Sequence, residues 1–239
     1  NSRMKDFDDI QTLLKDDLAQ TDALLHSRLS SNVALINQVS SYIISAGGKR
    51  LRPLLLLLCA RATNYQGEYH RLMAVVIELI HTATLLHDDI VDESSTRRGK
   101  NTANEVWGNA ASVLVGDFLY SRSFEMMVEP DSMKIMQILS KATNEIAQGE
   151  VLQLLNCKNS ALTQAEYYQV IERKTAILFQ AATQIGGILS KVNNTQEQAL
   201  KGYGLHLGNA FQIIDDVLDY ESDSDTMGKE VGDDLSEGK

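Results

Sequence analysis

Proline is nearly absent from this 239-residue chain, which has only Pro53 and Pro130. With so few breaks, an apolar pattern of period 3.6 runs through most of its length and points to an all-α protein. Cysteine is equally scarce. Cys59 and Cys157 both lie in apolar helical context, which excludes a disulfide framework and reads as small core residues of a reducing compartment. Long hydrophobic runs are missing too: the stretch Leu54–Leu58 is bracketed by Arg52 and Arg61, far below the roughly 20 residues that span a bilayer. No transmembrane segment and no signal peptide is visible, so a cytoplasmic location is expected. Positive charge is in deficit, with 22 Lys and Arg against 32 Asp and Glu and a net charge of −10, which argues against a nucleic-acid partner. An acidic protein that handles anions must gather its cations locally, so its few basic clusters are informative.

The length suffices for a substantial core, and no repeat, low-complexity tract or linker interrupts the pattern. A single helical domain is expected over residues 1–239. Helices are expected near 5–27, 30–46, 53–64, 68–93, 102–107, 110–128, 132–157, 163–191 and 195–222, with Gly47-Gly48, Asn64–Gly67 and Pro130–Ser132 as turn signals. The acidic, glycine-bearing stretch 221–239 reads as a mobile loop.

What the chain does have is one acidic pattern twice: Asp88-Asp89-Ile90-Val91-Asp92 and Asp215-Asp216-Val217-Leu218-Asp219. Each is embedded in apolar helical sequence. Residues four apart share a helix face, so Asp88 pairs with Asp92 and Asp215 with Asp219. Facing each other across a cavity, such pairs make a hard, oxygen-rich site suited to Mg²⁺ carrying a phosphate-bearing ligand. Counting back from Asp92 in steps of three or four gives Asp88, Thr84, His81 and Ile77, so polar groups occupy the stripe that amphipathicity would bury. Gln212, Asp215, Asp216 and Asp219 make a second polar stripe on a helix otherwise built from Phe211, Ile213, Ile214, Val217 and Leu218. Two basic clusters accompany the first motif. Gly47-Gly48-Lys49-Arg50-Leu51-Arg52-Pro53 joins glycines, which let a backbone approach an anion, to cations and a helix start. Arg97-Arg98-Gly99 follows the motif closely, and Lys174-Thr175 interrupts a later apolar helix.

With these motifs, together with Gly116-Asp117-Phe118 and Gly228-Lys229, the chain resembles the trans-prenyltransferases, the isoprenyl diphosphate synthase family, from about residue 36 to 239. The resemblance is strongest to long-chain members making octaprenyl diphosphate for quinone side chains. It implies that Asp88 and Asp92, with Asp215 and the neighbouring Asp89 and Asp219, bind Mg²⁺ that grips an allylic diphosphate, with farnesyl diphosphate the expected primer. Arg97, Lys174, Thr175, Gln212, Lys229 and Lys239 would hold that same diphosphate, with Lys174 and Gln212 acting on its ionisation. Lys49, Arg52, His81 and Arg98 would bind isopentenyl diphosphate. The same resemblance implies an all-α single-domain bundle with a deep central cavity and a homodimer, and the family continues for several helices past residue 239 that this sequence does not carry.

Ala83 and Thr84, five and four positions before Asp88, are small where farnesyl synthases carry bulky aromatics. They leave the upper part of a product tunnel open, with Met126 and Met127 as its expected floor. Three other readings compete. A shorter-chain synthase would share every motif. A noncatalytic synthase subunit typically loses acidic residues, and both motifs are intact here. A helical Mg²⁺- or Ca²⁺-binding structural protein leaves the basic clusters unexplained.

Overall fold

The computed structural model describes residues 6–158 and 163–221, with the side chains of Cys157, Lys158, Asp216, Val217 and 219–221 outside that description. Among the described residues, ten helices run in chain order: α1 Phe7–Leu13, α2 Lys15–Leu29, α3 Ala34–Ser45, α4 Leu51–Ala62, α5 Tyr69–Val91, α6 Ala103–Trp107, α7 Asn109–Met127, α8 Met133–Lys158, α9 Gln164–Leu189 and α10 Asn194–Glu221. The expected all-α class is correct, and most boundaries fall within two residues of the apolar pattern.

Helix α5 is the axis of the bundle. Every residue from Leu72 to Ile80 is buried, the signature of a helix covered on all sides. Each large aliphatic side chain there contributes roughly 1.5–3 kcal/mol by leaving water. Helices α2, α4, α7, α8 and α9 pack against it, and α9 in turn carries α10. Close approach is set by missing side chains. A Cβ at Gly116 on α7 would sit 2.4 Å from His87 Nε2, and one at Gly186 on α9 would sit 2.8 Å from the Leu56 carbonyl of α4. A Cβ at Gly186 would push α4 and α9 apart, while one at Gly116 would displace the His87 ring.

The ends of α5 and α9 are chemically defined. Thr163 caps α9 and Glu166 returns the contact, a reciprocal box written in the sequence as Thr-x-x-Glu. At the end of α5, Ser94 N–H donates to the Asp89 carbonyl at 2.9 Å and Glu93 N–H to that of Ile90 at 3.1 Å. Glu93 takes φ +53° there. This is a Schellman stop, and it terminates the helix on Asp92 itself.

Two features depart from expectation. The first long helix breaks at Leu14, whose side chain is 1% exposed, so burial of that leucine bends the chain between α1 and α2. Residues 96–101 form an unanticipated hairpin, β1 Thr96–Arg97 with β2 Lys100–Asn101. Arg98 at φ +50° and Gly99 at φ +76° form its two-residue turn, the positive-φ geometry that suits tight antiparallel pairs. The stretch expected to be a mobile loop lies, after residue 221, outside the described residues.

Candidate active site at the end of helix α5

The first acidic motif occupies the last turn of α5 and its cap. Carboxylates are disfavoured at a helix C-terminus, by roughly 0.3–1 kcal/mol each, so three of them there need partners. Asp89 is 3% exposed and accepts both arms of the Arg97 guanidinium, at 2.9 Å from Nε and 2.7 Å from Nη2. Its carboxylate thus ties the hairpin to α5. Burial works against the charge of Arg97, but Asp89, backed by Asp88 and Asp92, outweighs it and raises its pKa. Asp88 accepts from Lys174 Nζ at 2.5 Å. Lys174, on α9, also donates to Gln153 Oε1 at 3.0 Å, and Gln153 Nε2 donates to Asp92 at 2.8 Å. Gly149 makes this possible: a Cβ there would meet the Lys174 stem at 3.1 Å.

Two helix turns deeper, a basic wall surrounds His81. Arg52 Nη1 lies 3.3 Å from His81 Nε2. Burial, then the charges of Arg52, Arg97 and Arg98, push the His81 pKa well below its usual value. His81 is therefore neutral, with Nε2 accepting from Arg52. Burial likewise lowers Arg52 to about 10, against the opposing pull of Glu78 and Asp215. Its guanidinium stacks 4.5 Å over Phe179 and 5.9 Å from Phe211. The tip of the hairpin closes the wall, because Gly48 has no Cβ and Arg98 fills the space one would take, 2.4 Å from that point. Lys49 is exposed, its ammonium 5.7 Å over the Phe7 ring.

Helix α10 supplies the opposite side. Asp215 is exposed and near enough for its charge to act on Arg52. Among the described residues, Gln212 Oε1 and Arg52 Nε are buried with no hydrogen-bond partner. An orphaned acceptor and an orphaned donor at one mouth mark places where a ligand would complete the bonding. Thr175 donates to its own helix at the Ile171 carbonyl, 3.2 Å away. Asp219 is described only by its place on α10, and Lys229 and Lys239 lie outside the described residues.

The expected tunnel differs. Ala83 and Met126 are 0% exposed, Met127 2% and Thr84 7%, so no water-sized opening reaches the Ala83 or methionine positions. Apolar walls without a chain between them pack together, because a void forfeits dispersion contacts.

The donor set fits a hard divalent cation. Asp88 and Asp92 are carboxylates on one stripe, and the Lys174 ammonium already stands against Asp88 where a cation belongs. Among the described residues, no three His, Cys, Asp or Glu side chains converge closely enough to hold an ion unaided.

The sequence pattern of the polyprenyl synthetases matches residues 33–239. The chain belongs to the polyprenyl synthetase family. It is 53% identical over 230 residues to octaprenyl diphosphate synthase of Escherichia coli (strain K12), covering 96% of this chain and 71% of that protein. A solved polyprenyl synthase from Caulobacter crescentus CB15, complexed with calcium and isoprenyl diphosphate, superposes with a TM-score of 0.91 at 46% identity, over 100% of this chain and 73% of that one. A decaprenyl diphosphate synthase from Rhodobacter capsulatus gives a TM-score of 0.86 at 51% identity, over 95% and 70%. The chain is a prenyltransferase.

Within this polyprenyl synthetase, reading the sequence missed Gln153, Gly149 and the group around His87. His87 lies 3.6 Å from Glu150, 3.3 Å from Asp117 and 3.2 Å from the Val113 carbonyl. The Glu150 contact leads the effects that raise its pKa. A signal for Gln153 existed: it ends the buried stripe 135, 139, 142, 146, 149 and 153 of α8, and a polar residue on such a stripe asks for a partner.

Proposed function

We propose that this prenyltransferase is a long-chain polyprenyl diphosphate synthase of octaprenyl type, condensing isopentenyl diphosphate onto an allylic diphosphate such as farnesyl diphosphate. One observation carries the reading. An acid-rich helix end and a separate wall of arginines open on the same mouth, so one diphosphate can be held through metal and the other by side-chain cations. Asp88, Asp92 and Asp215 would hold Mg²⁺, which when bound neutralises charge on the leaving diphosphate. Lys174 and Gln212 would face that diphosphate. Arg52, Arg98 and Lys49 would hold the second, with Arg97 braced by Asp89 between the two.

In the reaction, the allylic C–O bond breaks and leaves its electron pair on the diphosphate, giving a delocalised carbocation. The terminal alkene of isopentenyl diphosphate attacks C1, and a proton then leaves to the pyrophosphate, restoring an allylic product. Fixed cations such as Lys174 stabilise the developing negative charge without reorganising. Neutral His81 holds Arg52 in place without adding charge, and the apolar packing of Leu86 and Leu119 below the motif keeps water from the cation.

Product length follows from helix geometry. Helices α5 and α7 are antiparallel, because His87 meets Val113 and Asp117 while Thr84 meets Tyr120. Met126 and Met127, about ten residues below Gly116, lie about 15 Å down. That depth holds about three isoprene units of roughly 5 Å each, so an eight-unit product must displace the methionine pair, and flexible thioether side chains allow it. Large apolar residues exposed on α7 and α8, among them Leu114, Phe124, Val151 and Leu155, are the surfaces a homodimer would cover. No described helix is long and apolar enough to cross a membrane; a cytoplasmic enzyme serving quinone synthesis is the setting that fits this reading.

The experiment is incorporation of labelled isopentenyl diphosphate onto farnesyl diphosphate with Mg²⁺, with products resolved by chromatography. Products of about eight units support the reading. Products of three or four units indicate a short-chain synthase with a rigid methionine floor, and no incorporation contradicts the assignment.

A further inference from the structure

We infer that Gln153 is a positioning residue that ties Lys174 to the acidic motif and makes metal ion and diphosphate enter together. This rests on the reading of Asp88 and Asp92 as metal ligands. Lys174 is 8% exposed and Gln153 3%, so neither is held by bulk water. Two of the three ammonium donors are committed, to Asp88 at 2.5 Å and to Gln153 Oε1 at 3.0 Å. The amide of Gln153 has one workable orientation. Its oxygen faces the ammonium while its N–H₂ faces Asp92 at 2.8 Å, and the flipped amide would set donors against Lys174 and oxygen against carboxylate. Gly149, one turn before Gln153, leaves the channel through which the lysine stem runs.

Entry of either ligand alone is therefore opposed. A divalent cation arriving at Asp88 must push away Lys174, leaving a buried ammonium with Gln153 as its remaining acceptor in this chain of contacts, beside a like charge. A diphosphate that draws Lys174 away strands Asp88 beside Asp89 and Asp92, facing an anion. Buried charges that lose their partner are costly. When both arrive, Asp88 exchanges an ammonium for a metal ion and Lys174 exchanges a carboxylate for a phosphate oxygen. Gln153 keeps hold of the lysine throughout, so the ammonium swings about a fixed acceptor. Each ligand then strengthens the other by the same factor, as linkage requires.

The test is titration calorimetry of the whole chain with Mg²⁺ alone, inorganic pyrophosphate alone, and each in the presence of the other. Wild type should show a mutual enhancement on the order of 30-fold or more. Lys174→Met should cut that factor by about tenfold. Gln153→Met, which changes no charge, should cut it by about threefold while native helix content is retained. A simple loss of positive charge predicts something different for Lys174→Met: Mg²⁺ affinity would shift equally with and without pyrophosphate, leaving the enhancement unchanged. An unchanged enhancement in both variants overturns the inference. If Lys174→Met does not fold, Gln153→Met decides alone. Failure of wild type to bind pyrophosphate even with Mg²⁺ overturns the functional reading itself, and this inference with it.

Discussion

The two ends of helix α5 both carry charged clusters, and they are built on opposite plans. At the N-terminal end, Asp17 of α2 is 3% exposed and accepts from Arg61 at 2.6 and 2.8 Å, from Arg71 at 2.9 Å and from His70 at 2.9 Å. One carboxylate is over-supplied with donors, and α2 is pinned to α4 and α5. At the C-terminal end the carboxylates come in a group. Three of them crowd the helix terminus that least favours them; Lys174, Arg97 and Gln153 are among their partners, and buried polar atoms of Arg52 and Gln212 nearby lack a hydrogen-bond partner. A carboxylate that gathers donors from two helices holds a fold together, even though His70 Nδ1 beside it is buried without a partner. A group of acids that a cation and an anion from outside would complete fits a binding site maintained at some expense of stability.

The contrast breaks most visibly at Asp88. Asp88→Ala should lower kcat/KM by about 10³, of the size seen when one preorganised electrostatic contact is lost, in steady-state assays with Mg²⁺. The helical circular dichroism spectrum should be unchanged. Asp17→Asn should do the reverse, costing about 3 kcal/mol in denaturant unfolding by leaving arginines without their shared carboxylate. Turnover per folded molecule should stay at the wild-type level.

Titration sharpens the comparison next. Asp17 is held well below the usual carboxylate range, where its bonds to Arg61, His70 and Arg71 outweigh burial. Its contribution to stability is present above the unfolded carboxylate value and is lost only as pH falls through the depressed folded value. His70 and His81 are both lowered, by burial foremost. Between their folded values and about 6.5, the unfolded chain binds protons that the folded chain does not, so stability rises with pH there, by about 1.4 kcal/mol per pH unit for each histidine. His81→Gln should remove one such proton from urea-unfolding profiles below about pH 6.5. Inorganic pyrophosphate with Mg²⁺ should flatten the wild-type profile, because an anion beside His81 favours its charged form. A wild-type profile with no slope would contradict the neutral assignment.

The smallest effect is at Gly149. Gly149→Ala gains helix propensity, roughly 0.5–1 kcal/mol, yet crowds the Lys174 stem. A several-fold loss in kcat with a slightly higher unfolding midpoint is expected, and unchanged kcat would show that Lys174 tolerates displacement.

Much of this was legible in the sequence. The helices follow from apolar periodicity, and the acidic and basic motifs announce the site because polar residues stand on stripes that should be buried. The hairpin that aims Arg97 and Arg98 was not legible, since two-residue strands have no period to read. The partnership of Asp89 with Arg97 and the relay from Lys174 through Gln153 to Asp92 join α5, α8, α9 and the hairpin, and no spacing along the chain encodes them. The closed state of the Ala83 and Met126 region was hidden for another reason: small and flexible residues permit a tunnel, but packing decides whether it stands open without a chain inside.

The most direct test is the thermal unfolding midpoint and turnover of Asp92→Asn, measured beside Asp17→Asn. Asparagine can still accept from Gln153, and it removes one negative charge from a helix C-terminus. The account predicts an unfolding midpoint equal to or above wild type, with turnover reduced about 100-fold, while Asp17→Asn unfolds earlier and keeps its turnover. A lowered midpoint with intact turnover for Asp92→Asn would place the acidic end of α5 among the structural clusters and contradict its assignment as the catalytic site.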